Sequence, residues 1–306
     1  MFVINPDPYL IPAYRISPFK TDNISFNHRL PNDNIIDEYF CQRFNGNKFI
    51  YTVNGRSALQ LALMQYNLQK EDIVTIFTTS GNNYISKCVT NEIEKICKWS
   101  RSIEVNTRII IVNHEFGYPY KELEELKRYR LPIIEDCAFS FFSIDKKSII
   151  GSIGDFTIFS FPKIFPIQIG GLLVLNTNFQ YPVEIRYPDN MTLQYIKKVL
   201  SYYILRKDEI IEKRIQNYQK LKILIESIGL KERFKLEPGI IPGVFLFNSN
   251  GQNIHFHKLK EHMYRNGIQC SVFYGEKSFF IPSHQNLNDE DIAYFVETIK
   301  LFLNQS

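Results

Sequence analysis

Residues Gly151–Leu175 read GSIGDFTIFSFPKIFPIQIGGLLVL. Two runs in this stretch, FTIFSF (156–161) and GLLVL (171–175), are too apolar along their whole length to keep one side in water. They read as strands buried on both faces. Between them Lys163 stands between Pro162 and Pro166 in an otherwise apolar segment. An unpaired buried ammonium is expensive, so this lysine either snorkels to water or is in use.

The same kind of run recurs upstream at IVTIF (73–77), RIIIV (108–112) and LPIIED (131–136). Helical stretches lie between. RSALQLALMQYN puts Leu59, Ala62, Leu63 and Tyr66 on one stripe, and NYISKCVTNEIEKICKW does the same with Ile85, Cys88, Val89, Ile93, Ile96 and Cys97. YKELEELKRYR is shorter and more charged. Buried strands alternating with helices predict an α/β fold with a three-layer, mainly parallel sheet.

Residues 1–50 are rich in Pro and Asn, with a short helical candidate in NDNIIDEYFCQRF, and read as a segment wrapping a body built later. The large α/β domain is expected over 51–185. A smaller C-terminal α+β domain is expected over 186–306, with a long helical tract (191–228), a strand PGVFLF (242–247) and a helix HKLKEHMYRNG closed by Gly267. A last helix starts after Asn288, with acids at 289–291 and Ile292, Phe295, Val296 and Ile299 on one face.

At 306 residues, 44% of them apolar and 22% charged, the chain has the composition of a globular protein rather than a disordered one. The net charge of +4 contains no long single-sign block, so a nucleic-acid partner is not expected. No run of about 18 apolar residues occurs, so no membrane span is expected. Cys41, Cys88, Cys97, Cys137 and Cys270 form no CxxC pair and are odd in number, which suits reduced thiols and a cytoplasmic location. His255, His257 and His262 lack the carboxylate or cysteine spacing that would complete a metal site, and no metal is expected. GSIG at 151–154 is not a dinucleotide-binding GxGxxG.

Three features carry chemistry. In TVNGRSALQLAL, Gly55 stands where an extended segment turns into a helix. The amides of Gly55, Arg56 and Ser57, with the Ser57 hydroxyl, either cap that helix or hold an anion such as phosphate. Asp136 closes the strand LPIIED at the end where α/β sheets bind ligands, although an acid there can also cap the next loop; Glu135 points to the opposite face. Lys163 follows FTIFSF, and apolar surroundings make an amine a better nucleophile toward carbonyl groups. A phosphate cradle, an acid that keeps a pyridine nitrogen protonated and a Schiff-base lysine are what pyridoxal 5'-phosphate (PLP) requires.

With these residues in place the sequence resembles the PLP-dependent transferase fold of type I, and within it the DegT/StrS-type sugar aminotransferases. NGRSALQLAL resembles that family's SGTxALxLAL segment, VNHEFGYP its VHLYGxP, IIEDCA its VIEDxA, and GSIGDFTIFSFPKIFPIQIGG its lysine segment. FFIPSHQNLNDEDI is similar to its P-x-H-x-x-L ending. The resemblance implies PLP as cofactor, with Lys163 forming the Schiff base and shuttling protons and Asp136 pairing with the pyridinium. Gly55, Arg56, Ser57 and Ser160 would hold the phosphate, and His114 would lie near the cofactor. It also implies a homodimer, and transfer of an amino group from an amino acid such as glutamate to a nucleotide-linked keto-sugar, in polysaccharide or aminosugar biosynthesis.

The chain departs from the family at several points. Phe139 stands where Gln or His is frequent, Thr79 where an aromatic usually stacks on the cofactor, with Tyr84 as a substitute. The gap from SF to the lysine is two residues shorter, and the usually polar loop after it reads IFPIQI. These departures motivate two other readings: a protein of this fold that has lost catalysis and serves in binding or assembly, and a PLP enzyme of another reaction, such as a racemase or lyase.

Overall fold

The structure, a computed structural model, describes residues 12–145, 148–177 and 188–305. The first residues of the Pro-rich N-terminal segment and the expected domain boundary near 185 lie outside the described residues. The chain divides into two compact units. One is Phe19–Lys207; the other joins Asp208–Ser306 to the residues up to Pro18.

The first unit begins with α1 (Asp22–Arg29) and α2 (Ile35–Arg43). It continues through β1 (Lys48–Thr52), α3 (Gly55–Met64), β2 (Ile73–Thr78), α4 (Lys87–Glu94), β3 (Lys98–Ser100), β4 (Thr107–Asn113), α5 (Leu123–Leu126) and β5 (Ile133–Asp136). A small hairpin, β6 (Ile144–Asp145) and β7 (Ser148–Ile149), precedes β8 (Phe156–Ser160) and β9 (Gly171–Leu175); then comes α6 (Asn190–Ile204), and α7 (Lys207–Ser227) opens the second unit. Seven strands form one sheet in the order β1-β9-β8-β5-β4-β2-β3. Neighbours from β8 to β3 pair in parallel, whereas β9 runs antiparallel to both β8 and β1. The C-terminal ends of β1, β4, β5 and β8 therefore share one edge with the start of β9.

The expected three layers follow from side-chain alternation along the strands. Ile109 and Ile111 of β4 pack into one core with Ala58, Leu59, Ala62 and Leu63 of α3 and Val89 and Ile93 of α4. Ile110 and Val112, pointing the other way, pack with Leu123 and Leu126 of α5. At roughly 1.5–3 kcal/mol per fully buried aliphatic side chain, these two faces dominate the sheet's stability.

The apolar stripe from Tyr84 to Trp99 yields a shorter helix than its length suggests. Ser86 caps α4, its hydroxyl accepting from the Cys88 N–H, and Lys98–Ser100 leaves the helix to pair as the edge strand β3. Likewise the tract 191–228 is two helices, interrupted at Leu205 and Arg206. The second opens with Asp208 and Glu209 in its first turn, where the helix dipole favours acids. Helix α1 carries no strong periodic signal and emerges only in the structure, as does the extent of β1 upstream of the extended segment before Gly55.

The second unit holds β10 (Lys231–Glu232), β11 (Val244–Asn248), α8 (Phe256–Arg265), β12 (Ser271–Phe273), β13 (Ser278–Pro282) and α9 (Asp289–Asn304). Its strands form an antiparallel sheet ordered β10-β11-β13-β12. Phe245, Phe247, Phe279 and Ile281 pack there against Leu221 and Ile225 of α7, Leu259 and Met263 of α8, and Phe295 and Ile299 of α9. The Asn288 side chain accepts from the Asp291 N–H and the Asp291 carboxylate from the Asn288 N–H, a reciprocal cap that fixes where α9 starts. His284 of the PSHQNL segment is a structural pin. Its carbonyl accepts from Asn217 Nδ2 at 2.9 Å, and its Nε2 lies 3.1 Å from the Arg15 carbonyl. Among the described residues no helix is long and apolar enough to cross a membrane.

Candidate active site

The residues that the resemblance assigns to the cofactor, Gly55, Arg56, Ser57, Asp136, Ser160 and Lys163, all belong to the unit Phe19–Lys207 and stand at the ends of β1, β5 and β8 that share one sheet edge. At the end of β1 the chain turns through Asn54 into α3. Asn54 is the N-cap, and its Oδ1 accepts both the Ser57 N–H at 2.9 Å and the Ser57 hydroxyl at 3.3 Å. The capping reading thus accounts for Ser57. The N–H groups of Gly55 and Arg56 have no hydrogen-bond partner among the described residues, so they remain available to an anion.

Backbone packing ties this turn to the lysine segment. Gly171, first residue of β9, is paired with Thr52 on one side and Ser160 on the other. A β-carbon on Gly55 would lie 3.1 Å from Ser160 Cβ, which puts the Ser160 side chain beside the start of α3. Gly170, at φ +107, donates its N–H to the Val53 carbonyl at 2.7 Å and accepts from the Phe161 N–H at 3.1 Å. The Gly-Gly pair therefore locks the two ends of the lysine loop onto the turn before α3.

Lys163 ends a 3-10 turn, Phe161–Lys163, that leaves β8. The following IFPIQI stretch is core rather than a surface loop: Ile164, Phe165 and Ile167 are buried. Phe165 packs edge-on against Phe141 and Phe142, with ring centroids 5.2 and 5.7 Å away. Two side chains fasten the outer part of the loop. Asn27 Nδ2 donates to the Pro166 carbonyl at 2.8 Å, and the Tyr195 hydroxyl donates to Gln168 Oε1 at 2.7 Å. This answers why the segment is so apolar: it plugs the aromatic layer beneath Lys163. Burial lowers the Lys163 pKa below the usual lysine value, partly offset by Cys88 and Asp136.

Asp136 ends β5 and is buried. Its Oδ1 accepts from the Ala138 N–H at 3.0 Å, and its Oδ2 from Asn113 Nδ2 at 2.7 Å. Burial pushes this carboxyl above its ordinary value, more than these donors and the nearby His114 and Lys163 lower it. Asn113 pairs with Asp136 in the β4–β5 register. It was not singled out from the sequence, although an amide closing the adjacent buried strand RIIIVN was a usable signal. Cys88, in the first turn of α4, is a second such residue, because it acts electrostatically on Lys163.

Glu135 points to the other face, as the alternation of a strand requires. One oxygen accepts the N–H groups of Ile153 and Gly154 at 2.8 and 2.6 Å, the other the Gly151 N–H at 3.1 Å and His114 Nε2 at 3.0 Å. The GSIG segment is thus an amide nest for a buried carboxylate. Burial alone would raise the Glu135 pKa, but His114 and these amides more than offset it and hold it low. His114 accepts the Tyr120 N–H at Nδ1, 3.0 Å away, which leaves the ring hydrogen on Nε2 for Glu135. Cys137 brings its sulfur within 4.8 Å of ligand-type atoms of His114 and Glu135. These hydrogen bonds already account for that cluster. In the second unit His262 Nε2 lies 3.2 Å from the Thr298 carbonyl and His257 leans on Tyr274, so these two histidines make separate contacts.

Thr79 presents no aromatic surface. Its hydroxyl donates to the Tyr118 carbonyl at 2.7 Å and accepts from the Glu115 N–H at 3.0 Å. The rings near Lys163 come instead from Phe139, whose centroid is 4.9 Å from Nζ, and Phe116, 5.6 Å from Phe139.

Residues 36–237 match the family model described as "Putative PLP-dependent aminotransferase". The chain belongs to this family. It is 29% identical over 153 residues to GDP-perosamine synthase of Escherichia coli O157:H7, an alignment covering 42% of this chain and 40% of that one. The chain thus spans well under half the length of such curated relatives. Among solved structures it resembles the aminotransferase TlmJ from Streptoalloteichus hindustanus, with a TM-score of 0.74 at 15% identity over 93% of this chain and 95% of that one. It also resembles a DegT DnrJ EryC1 StrS aminotransferase from Brucella abortus, with a TM-score of 0.68 at 15% identity over 92% and 93% of the two chains. The expected fold and the expected cofactor, PLP, are both borne out.

The residues of this family member fit the group. The unpartnered Gly55 and Arg56 amides suit a phosphate at the start of α3. The buried Asp136 carboxylate, with one hydrogen bond on each oxygen, suits a protonated ring nitrogen. Lys163 offers an amine whose pKa burial has lowered.

Proposed function

We propose that the protein transfers an amino group from an amino acid, glutamate by preference, to a nucleotide-linked keto-sugar, with Lys163 as the residue that attaches PLP. The observation that carries this reading is the convergence of three unlike groups on one sheet edge: free amides at the start of α3, the buried acid Asp136 and the amine of Lys163. Bound PLP supplies an electron sink next to the reacting carbon. The Gly55 and Arg56 amides, with the Ser160 hydroxyl, would hold its phosphate, while Asp136 would keep its ring nitrogen protonated. Lys163 would carry protons at its Nζ, a role to which its lowered pKa is suited.

The sugar acceptor rests on the likeness to GDP-perosamine synthase, whose name is that of a nucleotide sugar. A homodimer and a place in polysaccharide or aminosugar synthesis belong to the same reading. Purified protein given PLP should absorb in the visible, and borohydride should fix the cofactor on Lys163 in a peptide mass map. Glutamate should then bleach that band, and keto-sugar nucleotides should yield amino-sugar products by mass spectrometry. A protein that gains no absorbance with PLP sinks the enzymatic reading; one that binds PLP and ignores every amino acid sinks aminotransfer.

A further inference from the structure

Lys163 Nζ faces the ring of Phe139 at 4.9 Å from its centroid, inside the range in which an aromatic face attracts a cation. The Phe139 ring in turn meets Phe116 at 5.6 Å and an interplanar angle of 54°. Phe116 occupies the left-handed region, at φ 54 and ψ 23, where a bulky side chain is strained. Such strain persists only where the surroundings over-determine it. Here they do. The Thr79 hydroxyl bridges the Glu115 N–H and the Tyr118 carbonyl. The Glu115 carboxylate accepts the Ser80 N–H at 2.7 Å, and His114 Nδ1 accepts the Tyr120 N–H at 3.0 Å. The turn is pinned on both sides of Phe116, and its ring is delivered against Phe139.

We propose that Phe139, braced by Phe116, is a positioning residue for Lys163: its ring face holds the ε-amine in place and favours the ammonium whenever the amine is not attached to the cofactor. Thr79 acts one step further out, fixing the turn that presents Phe116. The position two residues past Cys137 thus has a use that needs no hydrogen bond to a bound ring. This rests on Lys163 being the lysine that bears PLP. Among the described residues, Asp136 at the end of β5 and Cys88 at the start of α4 favour its charged form against burial. Neither changes when Phe139 is replaced.

The test compares Phe139→Leu, which removes the ring face but keeps an apolar side chain, with Phe139→Tyr, which keeps it. The full chain, freed of PLP with hydroxylamine, is reductively methylated with formaldehyde and cyanoborohydride across a pH series. Modification of Lys163 is followed by peptide mass spectrometry. In Phe139→Leu the half-modification pH should fall by about half a unit to one unit, the size expected of a cation–π contact, while Phe139→Tyr should match the native protein. Coincident curves for Phe139→Leu and the native protein overturn the inference, as does an equal shift in both variants. If thermal melting shows Phe139→Leu unfolded, Phe139→Met replaces it with the same expected shift. Borohydride trapping on the native protein is read separately: failure to fix PLP on Lys163 defeats the functional reading, whereas the methylation curves decide the role of Phe139.

Discussion

Gly171 and Asn54 are in backbone contact: a β-carbon on Gly171 would stand 2.6 Å from the Asn54 carbonyl carbon and 2.8 Å from the Gly55 nitrogen. The start of β9 therefore lies flush against the turn that feeds α3. Gly171→Ala must push that turn outward and carry the Gly55 and Arg56 amides with it. PLP affinity, measured by absorbance titration, should fall about tenfold or more, roughly 1.4 kcal/mol. An unchanged dissociation constant would show that this turn does not hold the cofactor.

Capping and anion binding can be separated at Asn54. Asn54→Asp keeps an oxygen for the Ser57 N–H, so the helix start should survive with a melting temperature close to the native one. Its added negative charge, beside the two amides proposed to hold phosphate, should weaken PLP binding by about tenfold, and more so at low salt. Asn54→Ala should behave differently, losing about 1 kcal/mol of stability in urea unfolding through the lost cap. Equal PLP affinity in Asn54→Asp and the native protein would assign the turn to capping alone.

Glu135 is a folding residue at the site's back. Removing its charge while the Gly151, Ile153 and Gly154 amides still point at it leaves buried donors poorly paired, and Glu135→Gln should cost about 2–3 kcal/mol in chemical denaturation. Because the native carboxyl is held below its usual value, the stabilisation is present above the unfolded carboxyl's pKa and is lost as pH falls through the native one. The acid side of the stability profile should flatten in Glu135→Gln.

Much of this was legible in the sequence because buried parallel strands and strand-end polar residues leave local signals. RIIIV and LPIIED announce their double-sided burial, and Asp136 and Lys163 stand out as ionisable groups where apolar residues are the rule. What stayed hidden depended on contacts distant along the chain. Asn27 anchors the Pro166 carbonyl across 139 positions, and nothing near FNHR marks that asparagine as buried. The place of the IFPIQI loop in the core was hidden because its partners, Phe141 and Phe142, belong to another segment. Phe116 and Phe139 could not be joined from sequence either, since their meeting depends on a left-handed backbone at a non-glycine residue, which no pattern predicts. The start of α3 was half legible: the turn was recognisable, but the Asn54 side chain, by taking the Ser57 N–H, redistributed which amides are left.

Asp136 and Lys163 give opposite pH signatures in the cofactor-free protein. Burial raises the native Asp136 carboxyl above its ordinary 3.8. In the window from that value upward the native state binds more protons than the unfolded state, so stability declines as pH rises through it. Burial lowers the native Lys163 amine below 10.5, so in the window beneath that value the unfolded state binds more protons and stability rises with pH. Chemical unfolding across pH should show both slopes. Asp136→Asn should remove the acid-side decline alone, and Lys163→Met the alkaline rise alone. Both slopes should shrink when PLP is added, because the proposed roles would give the carboxylate a cationic partner and take the amine out of titration. A profile that PLP leaves unaltered would mean that neither group meets the cofactor.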